Sequence, residues 1–151
     1  MIEINNLTET KVDGAGVKKI VQKVLDGEKA GKKADLSIAL LGPGRMRKLN
    51  KQYRKKNTIT DVLAFPDKEI PFEKFKIGRA KECQGLGEIV ICLRELKKNA
   101  KRFGKTFEQE LARVLIHGVL HLLGYDHEKS ADAAKKMQEK EQKYLEILEI
   151  V

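Results

Sequence analysis

The chain has 151 residues, 41% hydrophobic and 35% charged, with a formal net charge of +9. That is enough apolar residue for one domain with a buried core, and it excludes a disordered chain. No apolar run approaches a membrane span, the opening MIEINNLTETKVDG lacks the blocks of a secretion signal, and Cys83 and Cys92 make no disulfide framework; a cytoplasmic protein without a membrane partner is expected.

The excess of positive charge predicts a polyanionic partner, nucleic acid ahead of anionic membrane. The abundance of Lys and Glu and the lack of Trp are also what a hot habitat selects, which accounts for part of the charge. Residues 2–7, IEINNL, alternate weakly and predict a first strand. Residues 15–29 place Val17, Ile20, Val21, Val24 and Leu25 on one helical stripe with lysines opposite. Residues 34–41, ADLSIALL, predict a second strand, and GPG at 42–44 breaks it and launches a helix with Met46, Leu49 and Tyr53 inward. DVLAFP at 61–66 predicts a third strand closed by Pro66, and the polar stretch 67–86, with Pro71, predicts a long loop. GEIVIC at 87–92 predicts a fourth, buried strand that ends on a buried thiol, Cys92.

The rest predicts helix. Residues 93–102 form one, ending near Gly104. TFEQ at 106–109 is a capping box that opens the next, whose Phe107, Leu111, Val114, Leu115, Val119 and Leu122 cover much of its circumference and predict a central position. Gly124 predicts a left-handed terminator, and Ser130 caps a last helix with Ala134, Met137, Tyr144 and Leu148 inward. Lys135–Glu139 and Glu139–Lys143 are spaced to pair on its exposed face. The expected fold is a single α+β domain over residues 1–151: a small mixed sheet of about four strands with about five helices, the central helix carrying histidines.

All three histidines lie in HGVLHLLGYDH, residues 117–127. His117 and His121 are one helical turn apart on one face, and Gly124 lets the chain turn so that His127 can complete a tripod. Three imidazoles with an open position suit a catalytic zinc ion or another divalent transition metal. Asp126 is a candidate fourth ligand or a group that orients one of the histidines. Gly118 stands where a zinc protease carries its glutamate base, so peptide hydrolysis by that route is not expected. RMRKLNKQYRKK at 45–56 holds seven basic residues and no acidic one. Arg45, Lys48, Lys51, Arg54, Lys55 and Lys56 are candidate phosphate contacts, although such a run is also what a solvated helix face looks like. Arg54 leads them, because a guanidinium grips phosphate in a bidentate manner and this one stands just before NTITDVLAFP.

These stretches together carry a resemblance. HGVLHLLGYDH, LNKQYRKKNTITDVLAFP and GEIVIC resemble the signatures of the YbeY family of single-strand-specific metalloendoribonucleases, in the same order. The resemblance implies an α+β fold with zinc held by His117, His121 and His127, and with Arg54, His117 and His121 in catalysis. It also implies action on single-stranded ribosomal RNA, with the small ribosomal subunit as partner: maturation of the small-subunit rRNA 3′ end, and ribosome quality control. Two positions depart from the family pattern: Ala64 replaces the usual Ser and Glu88 the usual Asp. Two rival functions remain open from the sequence, a metallohydrolase of peptides or small molecules and a non-enzymatic assembly factor with a structural metal.

Overall fold

The computed structural model describes residues 1–30, 34–67 and 85–150. In chain order its elements are β1 (Ile2–Asn6), α1 (Gly14–Gly27), β2 (Leu36–Leu41), α2 (Pro43–Arg54), β3 (Val62–Pro66), β4 (Gly87–Cys92), α3 (Leu93–Arg102), α4 (Phe107–Leu122) and α5 (Ala131–Ile147). The four strands form one mixed sheet in the order β1-β2-β4-β3. β1, β2 and β4 run parallel and β3 pairs antiparallel with β4. Every residue of β2 and β4 is buried, as expected of largely apolar strands covered on both faces, with Ser37 and Glu88 the polar exceptions in them.

Strand alternation divides the core. Leu36, Ile38, Leu40, Ala64, Ile89 and Ile91 face the larger cluster, with residues of α1, α3, α4 and α5. Ala39, Leu41, Leu63, Phe65, Val90 and Cys92 face the opposite way, with Met46 of α2. α4 packs against α1, α3, α5, β3 and β4, the central position its broad apolar face predicts. Its capping box is present, with Thr106 Oγ accepting from the Gln109 backbone at 3.0 Å and the Gln109 side chain accepting from the Thr106 backbone at 2.9 Å.

Most differences from the sequence expectation are at the element ends. α1 starts at Gly14 because the Asp13 carboxylate caps it, accepting from the Gly16 backbone at 3.1 Å. The expected loop at 67–86 lies mostly outside the described residues, with Pro71 and Cys83; its ends meet where Asp67 donates to the Leu86 carbonyl at 3.0 Å. The expected Lys135–Glu139 and Glu139–Lys143 pairs are absent from the ion pairs of the described residues. Such pairs are worth only a few tenths of a kcal/mol in water, so solvation of the separate charges competes with them. The ion pairs that α5 does make point inward, to Glu28 through Lys140 and to His117 through Glu141. Among the described residues, no helix is long and apolar enough to cross a membrane.

Candidate active site

The end of α2 is fixed by a buried amide. Asn50, 4% exposed, donates through Nδ2 to the Thr58 carbonyl at 3.0 Å and to Thr58 Oγ1 at 3.2 Å. Lys55 leaves the helix in a left-handed conformation with φ 61°, its N–H returning to the Asn50 carbonyl. These bonds fold residues 55–61 back and set Arg54 at the cleft. Arg54 Nη2 donates to the Ala64 carbonyl at 2.9 Å, and the guanidinium lies 5.6 Å from the centre of the Phe65 ring. Phe65 is in turn braced edge-on by Tyr53 at 5.3 Å. Because β3 engages Arg54 through a backbone carbonyl, the missing hydroxyl at Ala64 does not alter this contact. The other departure, Glu88, is buried within β4.

α4 supplies His117 and His121, both half-buried. Gly118, between them, packs closely on β4: a Cβ there would lie 3.0 Å from Cδ1 and 3.2 Å from Cγ1 of Ile89, so Ile89 would have to give by a few tenths of an ångström. The helix therefore approaches β4 at the position where a protease would carry its base. After α4, Gly124 takes φ +104°, its N–H bonds the His121 carbonyl at 3.1 Å and the Tyr125 N–H bonds the Leu120 carbonyl at 3.1 Å. This paired arrangement is the Schellman motif, and it explains the glycine. It turns the chain so that the His127 ring stands 5.1 Å from that of His117.

The turn is tied down from two sides. Asp126, considered above as a ligand, accepts the Glu128 N–H at 3.0 Å and shapes the turn that carries His127. Tyr125 donates to Glu28 at 2.6 Å, and Tyr144 and Lys140 of α5 donate to the same carboxylate. Burial pushes the Glu28 pKa upward, but the two hydroxyls and the Lys140 ammonium outweigh it and hold the carboxyl below its ordinary value. Tyr144, buried and bonded to that carboxylate, is pushed well above the phenol range.

Asn50, Arg54, Lys56, His117, His121 and His127 line one cleft of about 510 Å³. Arg45, Lys48, Lys51 and Lys55 are exposed on α2 and at its end but lie outside that lining. Burial, then the positive charge of Arg54, lower the His121 pKa against the pull of Asp126. At neutral pH His121 is therefore a neutral imidazole with a lone pair to give. Among the described residues no three His, Cys, Asp or Glu groups close around a common point. The fit to a metal lies in the donors: three imidazoles at the wall of one cleft, one kept neutral and one held at Nδ1 by Glu141. Glu141 is a site residue that sequence reasoning missed, and so are Asn50 and Glu28.

The fold and the cleft define the class: an α+β protein with a histidine-lined cleft at the end of a basic helix, suited to a phosphate ligand. The model of the family described as Endoribonuclease YbeY matches residues 3–149. The chain belongs to that family. It is 39% identical over 147 residues to the Endoribonuclease YbeY of Caldanaerobacter subterraneus subsp. tengcongensis, covering 93% of this chain and 92% of the relative. The protein of the same description from Carboxydothermus hydrogenoformans is 37% identical over 150 residues, covering 98% and 97%. A solution structure from Thermotoga maritima aligns with a TM-score of 0.60 and 32% identity, covering 97% of this chain and 87% of that one.

Proposed function

We propose that this chain is a metal-dependent endoribonuclease that cuts single-stranded RNA, in ribosomal RNA processing at the small-subunit 3′ end and in ribosome quality control in the cytoplasm. The observation that carries the proposal is that Arg54 and all three histidines share one cleft. Membership in a family whose relatives are described as endoribonucleases supports RNA as the substrate. His117, His121 and His127 would hold zinc, or another divalent transition metal. When bound, the metal would supply positive charge to the phosphoryl oxygens and acidity to a water.

This chain's own residues do the rest. Arg54, stacked on Phe65 and anchored to Ala64, keeps N–H groups for the phosphate and stabilises charge that develops on it. Lys56 adds a second positive charge in the lining. Residues 58–60 line the same cleft and would bound the space for a phosphate beside the histidines. The attacking oxygen is the RNA 2′-hydroxyl or water: 2′,3′-cyclic phosphate ends with 5′-hydroxyls identify the first, and 3′-hydroxyl ends with 5′-phosphates the second.

The test is His121→Ala, read by thermal melting and by RNA cleavage on one preparation. A folded variant without cleavage is expected. A variant that unfolds favours an assembly factor with a structural metal, and metal-loaded wild type that leaves RNA intact, alone and with ribosomal subunits, refutes the proposal.

A further inference from the structure

α5 presents a carboxylate in an otherwise apolar stripe. Met137 and Tyr144 are buried against the core, and Glu141 lies between them on the same face. Its carboxylate is 15% exposed and accepts from Nδ1 of His117, 24 residues earlier in the chain. α5 is fixed at that height by Tyr144 and Lys140, which both donate to Glu28. Arg113, one turn before His117 on α4, lies within electrostatic reach of Glu141 and 3.6 Å from Asp61.

From this contact we infer that Glu141 is a positioning residue for His117. With Nδ1–H donated to Glu141, the ring has one tautomer and one orientation, and its lone pair sits on Nε2, the nitrogen left to a metal. The inference rests on the proposed metal site and deepens it: the site extends to a fourth side chain, from an element that bears no histidine. A mere tie between α4 and α5 would add stability but would set neither the tautomer nor the affinity for zinc.

The experiment compares wild type, Glu141→Ala and Glu141→Gln. Metal-free protein is read by melting and by the ¹⁵N shifts of the His117 ring, and zinc affinity by competition with a chelator. Wild type is expected to show Nδ1–H at His117. Glu141→Ala is expected to lose that preference and to bind zinc about 10- to 100-fold more weakly while remaining folded. Glu141→Gln, whose amide oxygen still accepts, is expected to keep the tautomer and part of the affinity. Zinc bound equally by wild type and a folded Glu141→Ala, or an unchanged His117 tautomer, overturns the role of Glu141 alone. Wild type that neither binds zinc nor cuts RNA sinks the proposed function, and this inference with it.

Discussion

Gly118→Ala sets two known effects against each other. Replacing a glycine inside a helix stabilises by about 1 kcal/mol through backbone entropy. Against this stands the side chain of Ile89, which would lie 3.0–3.2 Å from the new methyl group. Ile89 is fully buried in β4, opposite Ile38 on one side and Ala64 on the other, so any retreat must displace packed neighbours. Over-packing of this kind costs about 1–3 kcal/mol. The expected net loss is about 1 kcal/mol, a fall in Tm of about 2–4 °C for a chain of this length. Gly118→Glu puts a longer, charged arm at the same point and should lose several-fold more, because a carboxylate pressed on an isoleucine is desolvated without a partner. Thermal melting of the metal-free variants measures both. An alanine variant that melts higher than wild type refutes the close approach of α4 to β4. Peptidase activity in the glutamate variant would refute the idea that packing excludes a base here.

Three further outcomes follow from the site and its supports. Glu28→Gln should lower stability near neutral pH by about 1–3 kcal/mol, because a buried charged acceptor with three donors is weakened. Since the folded-state pKa of Glu28 is lowered from 4.5, its contribution is fully present above that value and fades as pH falls through the lower folded value. Chemical denaturation from neutral pH into the acid range should therefore show a shallower acid loss in the variant, and parallel curves would refute the linkage. Arg54→Lys should keep the fold but cut RNA at least 10-fold more slowly, because an ammonium cannot bond Ala64 and grip phosphate together in the same fork; cleavage at the wild-type rate removes Arg54 from the chemistry. Thr106→Ala should lower Tm by about 2–4 °C, the worth of about 1 kcal/mol of capping, without changing RNA binding.

The order of elements was legible because their signals are local. Breaks such as GPG and the capping box TFEQ mark boundaries that the structure keeps to within a residue or two. The short, largely apolar run of GEIVIC likewise marks a strand covered on both faces. The histidine spacing was legible for the same reason, since a helix fixes the relation of His117 to His121 and Gly124 marks the turn. What was not legible is what long-range packing decides. Glu28 meets Lys140, 112 positions away, and nothing near either residue announces the other. Glu141 did leave a trace, because Ala134, Met137, Glu141, Tyr144 and Leu148 follow one helical stripe with a single charge in it. Gly118 reads as the loss of a base in sequence; the structure supplies the cause, Ile89. Of the basic run, the sequence singled out Arg54 by its place before NTITDVLAFP but could not separate Lys56, which also lines the cleft, from Arg45, Lys48, Lys51 and Lys55, which do not.

The Glu28 clamp has a bearing on when the cleft comes into being. While the chain is being made, all three histidines emerge before α5 does. Until Tyr144 and Lys140 arrive, Glu28 has Tyr125 as its sole donor among these three, so the tie on the turn bearing His127 lacks its support from α5. His117 likewise waits for Glu141. The contacts that hold Arg54, by contrast, come from residues 50–65 and precede α5 in the chain. The last helix of the fold is therefore the one that completes the support of the histidine-bearing wall.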